Sequence, residues 1–107
     1  MIATQSTIDE AIKRLVKAYK PLKIYMYGDY VWGTPNEEST VDLFIIVDSS
    51  NERAIKRGYL AFEALLGLEI PKNVIVLTSE ELNQDVQDPN SEIHEIVRKG
   101  KLIYARD

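Results

Sequence analysis

At 107 residues the chain is sized for one domain, 1–107, with no room for a second core. A hydrophobic content of 45% and a charged content of 28% exclude a disordered chain, and the absence of cysteine excludes disulfide staples and thiolate metal sites and suits a cytoplasmic address. The net charge of −4, from 13 basic and 17 acidic residues, argues against a nucleic-acid partner, and no apolar run approaches the roughly 20 residues that cross a bilayer.

Met1 to Gln5 has neither the basic start nor the apolar stretch of a signal peptide. A first helix is predicted from Thr7 to Tyr19, opened by a Thr7/Glu10 capping box. Its stripe is Ile8, Ile12, Leu15, Val16 and Tyr19, and Pro21 stops it. The early basic residues Lys13, Arg14, Lys17, Lys20 and Lys23 read as solvated charges. Lys23 to Tyr27 reads as a strand ended by Gly28, followed by a loop through Gly33, Thr34, Pro35 and Asn36.

Val41 to Val47 is a second strand. Its unbroken apolar run from Leu43 predicts a central position, covered on both faces. Ser49 and Glu52 are expected to cap a helix whose buried stripe is Ile55, Tyr59, Phe62, Leu65 and Leu66, with Gly67 as C-cap. Asn73 to Leu77 is a third strand, and Thr78 with Glu81 caps a short helix over Glu80 to Val86. Pro89 suits a first helical position, ahead of a helix carrying Ile93, Ile96 and Val97 and ending at Gly100. Lys101 to Ala105 forms a last short strand. Alternating strands and helices imply an α/β (α+β) fold, a mixed sheet of three to four strands packed by helices.

The stretch from Gly28 to Leu43, Gly-Asp-Tyr-Val-Trp-Gly-Thr-Pro-Asn-Glu-Glu-Ser-Thr-Val-Asp-Leu, carries the chemistry. It leaves a strand at a glycine, crosses a loop of small residues and returns to the core at Asp42. There a metal and a phosphate could meet. On Gly28, Gly33 and the Asp42-Leu43 pair, the sequence resembles the minimal nucleotidyltransferase domains of the DNA polymerase β superfamily. Their pattern is Gly-Ser-x-Ala-Arg-Gly, a short turn, then Ser-Asp-x-Asp-Leu and apolar residues. The likeness runs without a gap from Gly28 to Val47, then more weakly through Asn73–Glu81, Ser91–Glu95, Gly100 and Tyr104.

Such enzymes transfer a nucleoside monophosphate from ATP or another NTP. The resemblance implies Mg²⁺ chemistry, in which carboxylates hold two cations about 3.5–4 Å apart. It assigns Asp42 as catalytic residue and metal ligand, and Gly28, Asp29 and Gly33 to nucleotide binding. It also implies a small, separately encoded helical protein as partner. Four positions depart from the pattern. Thr40 stands at the first Asp, Asn73 at the third carboxylate, Asp29 at the phosphate-binding serine and Trp32 at the arginine.

These departures predict an impaired enzyme that acts by binding a nucleotide or a protein partner. The alternative is an active Mg²⁺-dependent enzyme using Asp29, Asp42 and Asp48, although Asp48 lies six residues beyond Asp42, or about 20 Å along a strand. A subunit that only oligomerises is a third possibility. Asp29 also reads as a turn residue, and Glu37 and Glu38 as solvated. Trp32 suits either a partner contact or packing on a neighbouring helix. His94, the one histidine, has no partner at ligand spacing and reads as structural.

Overall fold

The computed structural model describes residues 2–107. In chain order the elements are α1 (Gln5–Tyr19), β1 (Lys23–Tyr27), α2 (Asp29–Trp32), β2 (Val41–Val47), α3 (Ala54–Ala64), β3 (Lys72–Thr78), α4 (Ser79–Asp85), α5 (Glu92–Lys99) and β4 (Lys101–Ala105). The four strands form one sheet in the order β3-β2-β1-β4. β1 pairs antiparallel with β2 and with β4, whereas β2 and β3 are parallel, joined by the α3 crossover. This is the mixed, helix-packed sheet expected from the sequence, with Lys101–Ala105 as its fourth strand.

β2 is central and covered on both faces. Val41, Leu43, Ile45 and Val47 join a cluster with Ile8, Ala11 and Leu15 of α1 and Ala61 of α3. Phe44 and Ile46 join a second cluster on the opposite face with Ile93 and Ile96 of α5. Alternation along the strand sends successive side chains to opposite faces, so a run without polar breaks is what two helical layers require.

Several local expectations are corrected. Thr4, not Thr7, caps α1: its side chain accepts the Thr7 N–H at 3.2 Å, while Glu10 pairs with Arg14. A cap serves the N–H three residues on, and Thr4-Thr7 has that spacing as well. The helix ends at Lys20, left-handed at φ 48°, just before Pro21. Ser49 and Glu52 do not open α3. The helix starts at Ala54 after Arg53, which makes no side-chain cap, and the Glu52 N–H instead donates to Ser50 Oγ at 3.1 Å. Its C-cap is Leu65, while Gly67, at φ 90°, shapes the turn beyond.

Of the stripe predicted for α3, only Leu65 is buried; the other four positions face outward. Ile55, Tyr59, Phe62 and Leu66 are 70%, 62%, 50% and 74% exposed, and the inward positions are Arg57, Ala61 and Leu65. Arg57 can occupy the interior because every arm is engaged. It donates to Glu52 O at 3.0 Å, to Val76 O at 3.1 Å, and to both oxygens of Glu81 at 2.6 and 3.0 Å. The Thr78/Glu81 capping box is present at the start of α4. Glu81 therefore caps one helix and anchors another. Pro89 precedes the N-cap Ser91 and lies outside α5, which Gly100 ends.

Candidate functional site

The sheet register places the site. Tyr27 of β1 stands opposite Asp42 of β2, and Asn73 of β3 lies beside Asp42 on its other flank. These three residues form a row across the sheet, above Tyr25, Phe44 and Ile75 of the second cluster. Glu92, in the first turn of α5, joins them around a cleft of about 340 Å³ lined also by Val74 and Ile75.

Asp42 is half-buried, and its Oδ1 accepts two hydrogen bonds. The Thr40 hydroxyl donates to it at 2.7 Å and the Asn73 amide at 3.1 Å. The Asn73 amide also donates to Thr40 Oγ1 at 3.2 Å. Thr40 and Asn73 thus both turn donors on Asp42. Burial pushes the Tyr27 hydroxyl well above its usual range, and the nearby charges of Glu92 and Asp42 push it further. Tyr27 is a neutral group at any ordinary pH.

Gly28 is bound to this geometry. Its φ is 76°, and a Cβ there would lie 2.1 Å from Asp42 Oδ2. The strand can turn into α2 directly beside the carboxylate only without a side chain. The loop after β1 is thus partly helical, with the Val31 and Trp32 N–H groups returning to Gly28 O. Asp29 opens α2, and its Oδ2 accepts the hydroxyl of buried Ser39 at 2.7 Å. Ser39 Oγ in turn accepts the Asn36 N–H at 3.0 Å, so Asp29 ties the returning loop to the helix. Gly33 allows the close approach, since a Cβ there would lie 3.1 Å from Asp29 Oδ1.

The remaining candidates lie outside this cluster or serve packing. Asp48, beyond the far end of β2, pairs with Arg106 at 2.9 Å. His94 Nδ1 meets Val86 O at 2.9 Å and links α5 to the end of α4. Trp32 is half-exposed, its ring centroid 6.1 Å from that of Tyr27. Glu37 and Glu38 are exposed in the loop. Sequence reasoning missed Tyr27 and Glu92 as cleft residues. Tyr27 read as strand propensity, and Glu92 lies fifty positions after Asp42 with no spacing to connect them.

A family model described as Polymerase beta, Nucleotidyltransferase matches residues 10–107. The chain belongs to this nucleotidyltransferase family. A search of curated proteins gives no match. Among solved structures, the chain is similar to a proposed nucleotidyltransferase from Sulfolobus solfataricus, at 17% identity and a TM-score of 0.56, over 99% of this chain and 93% of that one. At that identity the likeness concerns the fold, and it extends to the whole four-stranded sheet and its helices.

The donor set does not fit the pair of Mg²⁺ ions that the nucleotidyltransferase reaction uses. Among the described residues no three His, Cys, Asp or Glu side chains are grouped as a metal would need. Asp42 Oδ1 is already shared by a hydroxyl and an amide, and Mg²⁺ requires near-octahedral oxygen coordination.

Proposed function

We propose that this chain is a nucleotidyltransferase-family domain, spanning 1–107, that has kept the fold without the transfer reaction and acts by binding. It holds a nucleotide weakly at the Asp42 cleft or engages a protein partner, the small helical protein implied by the family resemblance being the first candidate. The observation that carries this reading is the closed Thr40–Asp42–Asn73 network. Two donors stand where two metal-binding carboxylates would be needed. Asp29 adds a negative charge at the phosphate-binding position, and Glu92 adds another across the cleft, so a triphosphate meets repulsion there. The absence of cysteine supports a cytoplasmic address. The alternative, an active enzyme with an altered site, needs Asp29, Asp42 and Asp48 to converge. Their separate partners, Ser39, Thr40 with Asn73, and Arg106, weigh against it.

The test is incorporation of label from α-labelled NTP into protein or RNA acceptors, with Mg²⁺ present. No incorporation above a protein-free control is expected. Incorporation that Asp42→Ala abolishes would overturn the reading and establish the altered-site enzyme. Calorimetry with ATP and GTP, with and without Mg²⁺, is expected to show weak binding that the metal does not strengthen.

A further inference from the structure

The outward face of α3 presents Ile55, Tyr59, Phe62 and, in the turn that follows, Leu66, each at least half exposed. A contiguous apolar face of this kind is unusual on an isolated chain and marks a contact surface. Spacings of four and three residues set Ile55, Tyr59 and Phe62 at d, a and d positions of a heptad, the seam of a paired coiled coil, and Leu66 extends the face just past the helix end. Lys72 Nζ lies 5.3 Å from the Phe62 ring centroid, a cation–π contact that steadies the ring from the start of β3.

The flanking charges choose the occupant. Lys56 and Glu63, both exposed, fall at the e positions beside the seam. In an antiparallel pair e positions face e positions, so Lys56 of one copy meets Glu63 of the other, and the same contact recurs by symmetry. In a parallel pair e faces g. The g position within the helix is Gly58, which offers no charge. Antiparallel pairing also sets Tyr59 against the second copy's Phe62 and Ile55 against its Leu66, and opposes the two helix dipoles. The face is therefore complementary to itself about a two-fold axis, the commonest symmetry of homodimers.

We propose that α3 is a homodimerisation helix, pairing antiparallel with α3 of a second copy through Ile55, Tyr59, Phe62 and Leu66. With only two unique layers, each repeated once by the two-fold axis, the dimer is weak, with a Kd on the order of 10 µM. Sedimentation equilibrium on the full chain tests it. Dimer is expected at about 100 µM, and Phe62→Glu, at a solvent-facing site, should weaken association at least about tenfold while leaving the circular dichroism unchanged. Lys56→Glu and Glu63→Lys should each weaken the dimer by about three- to tenfold, and the double swap should restore it. A monomer at every concentration overturns the proposal, including one that binds only a different protein. So does a dimer indifferent to Phe62→Glu, or a double swap that fails to recover what the single swaps lose.

Discussion

The Thr40 hydroxyl, one residue before β2, donates to Asp42 Oδ1 at 2.7 Å, so the residue at the strand's entry is a hydrogen-bond donor to the carboxylate two positions on. Asn73, register partner of Asp42 on β3, does the same from the neighbouring strand. The network satisfies Asp42 Oδ1 with two donors and leaves the strand pairing of the sheet intact.

On the proposed reading, acids placed at these positions should open a metal site. Thr40→Asp, Asn73→Asp and Asp29→Ser together place three carboxylates around one point and remove the charge at the phosphate position. Affinity for Mg²⁺-ATP or Mg²⁺-GTP is expected to rise at least about tenfold, or 1.4 kcal/mol, with a metal-dependent rise in melting temperature. Calorimetry on the folded triple variant checks this, and no gain with either nucleotide would mean that the three positions do not form one site.

Gly28→Ala should destabilise the fold by about 2–4 kcal/mol, from the positive φ and from a Cβ placed against Asp42 Oδ2. Asp42→Ala removes the colliding oxygen, so the double variant should recover the steric part and leave the backbone part. Urea titrations of the four proteins in this cycle measure the coupling. Additivity within about 0.5 kcal/mol would show that the collision does not govern the cost.

Asp42→Asn should cost less than about 1 kcal/mol, since the Thr40 hydroxyl keeps an oxygen acceptor. Ile45→Ala, on the same strand but fully buried, should cost about 2–5 kcal/mol. Chemical denaturation ranks the two, and the reverse order would contradict the placement of β2 at the centre of the core.

Glu81 gives the protein an acid limit. Its hydrogen bonds with Arg57, then the Thr78 N–H, lower its pKa from 4.5 to about 2. A depressed carboxyl contributes stability that is present above its unfolded value and lost as pH falls through its folded value. The loss should thus appear between pH 4.5 and about 2. With the Glu81 side chain 38% exposed, solvent screening limits it to about 1–2 kcal/mol. Melting temperature against pH is expected to be flatter over that window in Glu81→Gln than in the parent.

Much of this was legible in the sequence because it depends on local rules. The unbroken apolar run of β2 announced burial on both faces, the Thr78/Glu81 spacing announced a capping box, and the distance from Gly28 to Asp42 marked the family loop. Those signals follow from backbone periodicity and from groups a few residues apart. α3 was misread because periodicity identifies an apolar stripe but not the side that meets the sheet. Of the expected stripe the tertiary structure kept only Leu65 inside; it turned Ala61 inward and brought Arg57 with it, since Glu81, 24 residues away, satisfies its charge. The same holds at the cleft. The chain offered Thr40, Asp42 and Asn73 as candidates through the family resemblance. That Thr40 and Asn73 both bond to Asp42, beside Tyr27 and Glu92, was decided by strand register and helix packing, which bring distant residues within hydrogen-bonding range.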